Sequence, residues 1–130
     1  MTDAQSAQTA LDKLIEAVEA GTLQDTPYRG MQMASACYPK DDYGRIIDGK
    51  WHDANVIAAY HGNILRAAEL HDLLLPKWGW EVRQRANGGG GTAYIFPGTM
   101  PQTGRQQAKD TTPARAWLLA ILRAYRSLQP

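Results

Sequence analysis

The side chains able to do chemistry in this 130-residue chain are few and widely spaced: a single cysteine, Cys37, and three histidines, His52, His61 and His71. Nucleophilic catalysis needs a nucleophile, a base and a group that orients the base, all within hydrogen-bond reach. Cys37 could be drawn with His52 or His61 in that way. It stands, however, in the apolar run MQMASACY with no signature around it, where a cysteine is usually an inert small hydrophobe. His52, Asp53 and His61 could hold a metal or form an acid–base pair, but their spacing matches no recognised ligand pattern. They stand as an alternative only, a small metal-dependent or histidine-based hydrolase. His71 falls on the apolar face of its segment and reads as a core histidine. The carboxylates Asp41, Asp42, Asp48 and Asp53 invite a calcium reading, which fails because the alternating loop with a distant glutamate is missing. They read as turn residues and an acidic surface. The run Gly88–Gly91 would cradle a phosphate if a helix N-terminus followed it. A strand precedes and a strand follows, so a hairpin turn is the better reading. Neither a metal nor a cofactor is expected.

The elements that must position these residues are legible in part. Leu11, Leu14, Ile15 and Val18 recur at helical spacing and predict a helix over about 7–20, closed by Gly21. Residues 22–60 are less regular. Asp48-Gly49 reads as a two-residue turn, with Tyr43–Ile47 and Lys50–Trp51 as the arms of a small acidic hairpin. A second helix begins at the N-cap Asn63 and ends at Pro76, with Ile64, Ala67, Ala68, His71, Leu74 and Leu75 inward. Trp78, Trp80 and Val82 alternate with Gly79, Glu81 and Arg83 as a half-buried strand, with both tryptophans inward. The glycine turn and a return strand, Thr92–Phe96, follow. The polar stretch 98–111 reads as a mobile surface loop. Thr112-Pro113 is a cap with proline at the first helical position. The helix after it turns Trp117, Leu118, Ile121, Leu122, Tyr125 and Leu128 inward, and Arg115, Leu119, Arg123 and Arg126 outward. The expected fold is α+β: a small, mainly antiparallel sheet layered with three main helices, in a single domain. Within it, 1–59 hold the first helix and a variable region, and 60–128 the helix–strand–strand–helix core.

The net charge is +1, but its distribution is uneven. Residues 1–60 carry −4 and residues 61–130 carry +5, which suits two docked halves or a basic face that meets an acidic partner. The arginines of the second half, with Tyr94 or Tyr125 for stacking, could serve a nucleic acid. No recognised nucleic-acid motif is present, and that partner is not expected. No run of about 18 apolar residues predicts a membrane span. The start of the chain carries no signal-like segment and there is one cysteine, so a cytoplasmic location is expected.

The segments Pro76-Lys77-Trp78-Gly79-Trp80 and Thr112-Pro113-Ala114-Arg115-Ala116, in their order around the glycine hairpin, resemble the phage ABA sandwich domain family over about residues 60–127. The resemblance implies an α/β/α layered sandwich and a phage or prophage origin. It implies no assigned activity, because the matching residues pack and cap. The expectation that follows is a non-catalytic accessory protein, acting in the host cytoplasm on a host protein or complex, with inhibition of a defence system as one such role. Its contact surfaces would be a basic face and loop (Arg105, Lys109, Arg115, Leu119, Arg123, Arg126) and the acidic hairpin (Asp41, Asp42, Asp48, Asp53). The alternative of another class is a protein that binds or sequesters a nucleotide-like small molecule, in the pocket of a homodimer.

Overall fold

A computed structural model describes residues 3–23, 49–86, 89–98 and 106–128, with side chains from residue 11 in the first segment and from residue 55 in the second. The described elements are α1 (Asp3–Ala20), α2 (Gly49–Tyr60), α3 (Ile64–Leu74), β1 (Trp78–Gln84), β2 (Gly91–Pro97), β3 (Gln106–Asp110) and α4 (Pro113–Ser127). The strands form one antiparallel sheet in the order β1-β2-β3. Trp80 lies opposite Ile95, Val82 opposite Ala93, and Ala93 opposite Ala108, so these side chains share one face of the sheet. The fold is α+β, with helical packing on that sheet.

The organising element is α4. Thr112 Oγ1 accepts the Arg115 backbone N–H at 3.1 Å and caps it, and Pro113 occupies its first turn. It lies against all three strands and against α1, α2 and α3. Buried residues therefore run right round it, from Ala114 to Ala124. Ala116, Ala120 and Ala124 recur every fourth residue, and the sheet offers buried Ala93 and Ala108. Small side chains on both components allow a helix and a sheet to approach closely.

Four sequence expectations change here. The segment read as the second arm of a hairpin, Lys50–Trp51, is the first turn of α2. A dipeptide turn signal covers two residues, whereas the buried pairs Asn55/Val56 and Ala59/Tyr60 repeat at four-residue spacing and dock the segment on α3 and α4. Part of the expected loop 98–111 is the strand β3. With Ala108 as its one fully buried side chain, its apolar signal is too thin to read. The inward stripe of α3 is Ala67, Leu70, His71 and Leu74, so Leu70 moves from the flank to the core and Ile64 becomes 42% exposed. In α4, Leu119 is 3% exposed and Leu128 is 56% exposed, because α1 covers the side expected to face solvent and the helix end projects past the core.

Gly90 and Gly91 do more than turn the chain. Gly90 has φ +88°, and a Cβ there would strike the Asp110 carbonyl oxygen. A Cβ on Gly91 would strike the Pro113 backbone. The β3–α4 connection lies directly against these two residues, and only glycine permits that approach.

Candidate functional site

The arginines of α4 chosen from sequence are engaged within the fold. Arg126 Nε donates to Asp12 Oδ1 at 2.7 Å, and Arg123 donates to Glu19 Oε1 at 2.8 Å and to the Gln107 carbonyl at 3.3 Å. Both arginines therefore bridge α4 to its neighbours, and Leu119 is buried beneath the α1 side of that bridge. Arg115 lies 3.9 Å over the Tyr60 ring, donates to the Tyr60 carbonyl at 3.0 Å and pairs with Asp110 at 3.7 Å. It ties α2 to the start of α4. Lys109 is exposed on β3. Together with Arg85, Gly89, Gly90, Asp110, Thr111 and Glu19 it lines an open depression of about 510 Å³ that carries both signs of charge. Arg105, Asp41, Asp42, Asp48 and Cys37 lie outside the described residues, as do the side chains of His52 and Asp53.

The residues of the histidine-based alternative are strung along α2. Asp53 stands in the second turn of that helix and His61 one residue past its end. At 1.5 Å per residue their backbones are about 12 Å apart along the axis. Among the described residues no group of three metal-ligating side chains gathers.

His71 is the core histidine expected. It is 1% exposed, and both ring nitrogens are engaged. The Trp117 Nε1–H donates to His71 Nδ1 at 3.1 Å, which leaves Nε2 to carry the proton and donate to the Trp78 carbonyl at 2.9 Å. Burial lowers its pKa from the ordinary value, against the upward pull of that carbonyl and of Asp72. The neutral ring therefore locks the Trp117 indole in place.

Trp117 in turn forms the floor of an apolar groove. Trp80 lies on it, with ring centroids 4.5 Å apart and planes at 39°. Trp80, expected inside, is 52% exposed, because β1 ends the sheet among the described residues and one side of the ring meets solvent. Gly62, Ile64, Val82, Gln84, Pro113 and Ala114 complete the walls of a groove of about 470 Å³. Its walls come from the start of α3, the inner face of β1 and the first turn of α4. Sequence reading missed this site. The available signal was the alternation that places Trp80 beside Val82; what was missing was that β1 is an edge strand among the described residues.

No described helix is long and apolar enough to cross a membrane. No protein-family model matches the chain, and neither the curated proteins nor the solved structures contain a match.

Proposed function

We propose that this chain is a phage accessory protein that acts by binding a host protein, and that the Trp80 groove receives an apolar side chain of that partner. The observation that carries the proposal is the half-exposed indole of Trp80 resting on the fixed indole of Trp117 in an open apolar groove. Tryptophan at the centre of a preformed pocket is a frequent binding hot spot, because a large rigid surface is desolvated at little entropic cost. The His71 hydrogen bond keeps the floor rigid, so little ordering is needed on binding. The phage setting rests on the resemblance carried by residues 76–80 and 112–116.

The test is quantitative capture of host proteins by the wild type, followed by calorimetry with the purified partner. Trp80→Ser should weaken that binding by more than about tenfold, in line with a hot-spot residue, and leave the fold intact by circular dichroism. A partner that binds Trp80→Ser normally but is lost with Lys109→Glu would place the contact on the charged depression instead. A second reading is favoured by the open face of Trp80 and by a groove volume typical of small-ligand sites: a flat nucleotide-like ligand stacked on the indole. Saturable quenching of tryptophan fluorescence by a nucleotide panel, absent in Trp80→Ser, would select it.

A further inference from the structure

The outer edge of β1 is unpaired among the described residues, and its residues are arranged symmetrically. In an antiparallel ladder, alternate residues direct their backbone groups to opposite sides. The Arg85 N–H donates to the Gly90 carbonyl and the Gly98 N–H to the Lys77 carbonyl, so odd-numbered residues of this strand face β2. The N–H and C=O groups of Trp78, Trp80, Val82 and Gln84 face outward. Those of Trp78 are used within the chain: its N–H donates to the Leu75 carbonyl and its carbonyl accepts from His71 Nε2. The free edge therefore runs over Trp80, Val82 and Gln84, three outward positions centred on Val82. Among the described residues no proline interrupts it and no bulge twists it away, so the only edge-guarding features on the strand are the charges of Glu81 and Arg83.

We propose that β1 is the interface of a two-fold homodimer, in which the β1 strands of two copies pair antiparallel about Val82 and join two three-stranded sheets into one of six strands. With the axis at Val82, Trp80 exchanges backbone hydrogen bonds with Gln84 of the second copy and Val82 with its own equivalent, which satisfies every free group of the edge. Charge selects this register. Glu81 and Arg83 project from the opposite face of the sheet to the groove, are both exposed, and already pair with each other, Arg83 Nε to Glu81 Oε1 at 2.8 Å. About Val82, each Glu81 meets the second copy's Arg83 at non-hydrogen-bonded positions, where side chains of neighbouring strands are closest. Each carboxylate then lies between two guanidinium groups. An axis at Glu81 would oppose two glutamates, and an axis at Arg83 two arginines. The interface is isologous, as a closed dimer requires. The charge reversals at Glu81 and Arg83 act on the face of the sheet away from the groove, whereas the pairing itself brings the second copy's Val82 and Gln84 beside Val82 and Trp80 of the groove wall.

Sedimentation velocity over a concentration series tests the proposal. The wild type should shift with concentration from the 14.4 kDa monomer to twice that mass. Glu81→Arg places two arginines of each copy opposite two of the other, and Arg83→Glu does the same with glutamates. Each single variant should raise the dissociation constant at least about tenfold. The double variant should restore dimerisation, and a mixture of the two single variants should form a heterodimer, because the charges then alternate again. Circular dichroism confirms folding of the exposed-site variants. A wild type that stays monomeric at all concentrations would overturn the proposal, as would a dimer indifferent to both reversals, which would place the contact elsewhere. A host protein or peptide that competes with the dimer for this edge, when the single variants already self-associate normally, would likewise count against a β1–β1 contact.

Discussion

At the scale of single residues, the His71–Trp117 pair is the arrangement with most physical consequence. One neutral imidazole accepts from an indole and donates to a carbonyl, with no room to take a second proton without breaking the indole bond. Its folded pKa lies below the ordinary value, mainly through desolvation. The unfolded chain, with a histidine pKa near 6.5, therefore binds more protons in mild acid. The contribution of this residue to stability is complete above about pH 6.5 and is lost as pH falls below it, with a slope of at most about 1.4 kcal/mol per pH unit. Urea unfolding between pH 7 and 5 should show that loss, and His71→Gln, whose amide can accept and donate in the same places, should flatten it. Trp117→Phe should cost about 1–3 kcal/mol at pH 7, because it strands a buried acceptor. It should also change the emission of Trp80, which loses its indole neighbour.

At the scale of elements, the glycine turn and the start of α4 form one unit. Gly91 accommodates the Pro113 backbone, Gly90 the Asp110 carbonyl, and Thr112 caps the helix that follows. Gly91→Ala should destabilise the protein by about 1–3 kcal/mol, the usual cost of overpacking, and by more if the connection cannot move. Thr112→Ala should cost about 1 kcal/mol for the lost cap. Thermal unfolding of both variants checks the order. The arginines of α4 should matter much less. The Arg123–Glu19 and Arg126–Asp12 pairs are roughly a third to a half exposed, so solvent screens them, and replacing either arginine by alanine should cost less than about 1 kcal/mol.

At the scale of the molecule, α4 holds the sheet on one side and the other helices around it, so the described parts should unfold as one unit. Ile121 is completely buried. Ile121→Ala should cost about 2–5 kcal/mol and lower the midpoint monitored by tryptophan fluorescence and by helical circular dichroism together. Separated transitions by the two probes would show that α4 does not couple the layers.

The sequence alone determined what depends on neighbours along the chain. The N-caps Asn63 and Thr112, the left-handed Gly21, the buried stripe of α1 and the β1–β2 hairpin are all as the local pattern predicts, because capping geometry and side-chain periodicity are set within a few residues. So was the burial of His71 on an apolar helix face. Tertiary structure decided everything that depends on what lies opposite. Leu119 and Leu70 are buried because helices cover them. Ile64 and Trp80 are exposed because, among the described residues, β1 ends the sheet and α3 begins beside it. A polar pentapeptide becomes β3 because β2 offers it an edge. The apolar groove joins residues 62, 80, 113 and 117, and no local pattern relates positions so far apart. Periodicity shows which side chains share a face; only the packing of elements shows which faces meet and which remain open to a partner.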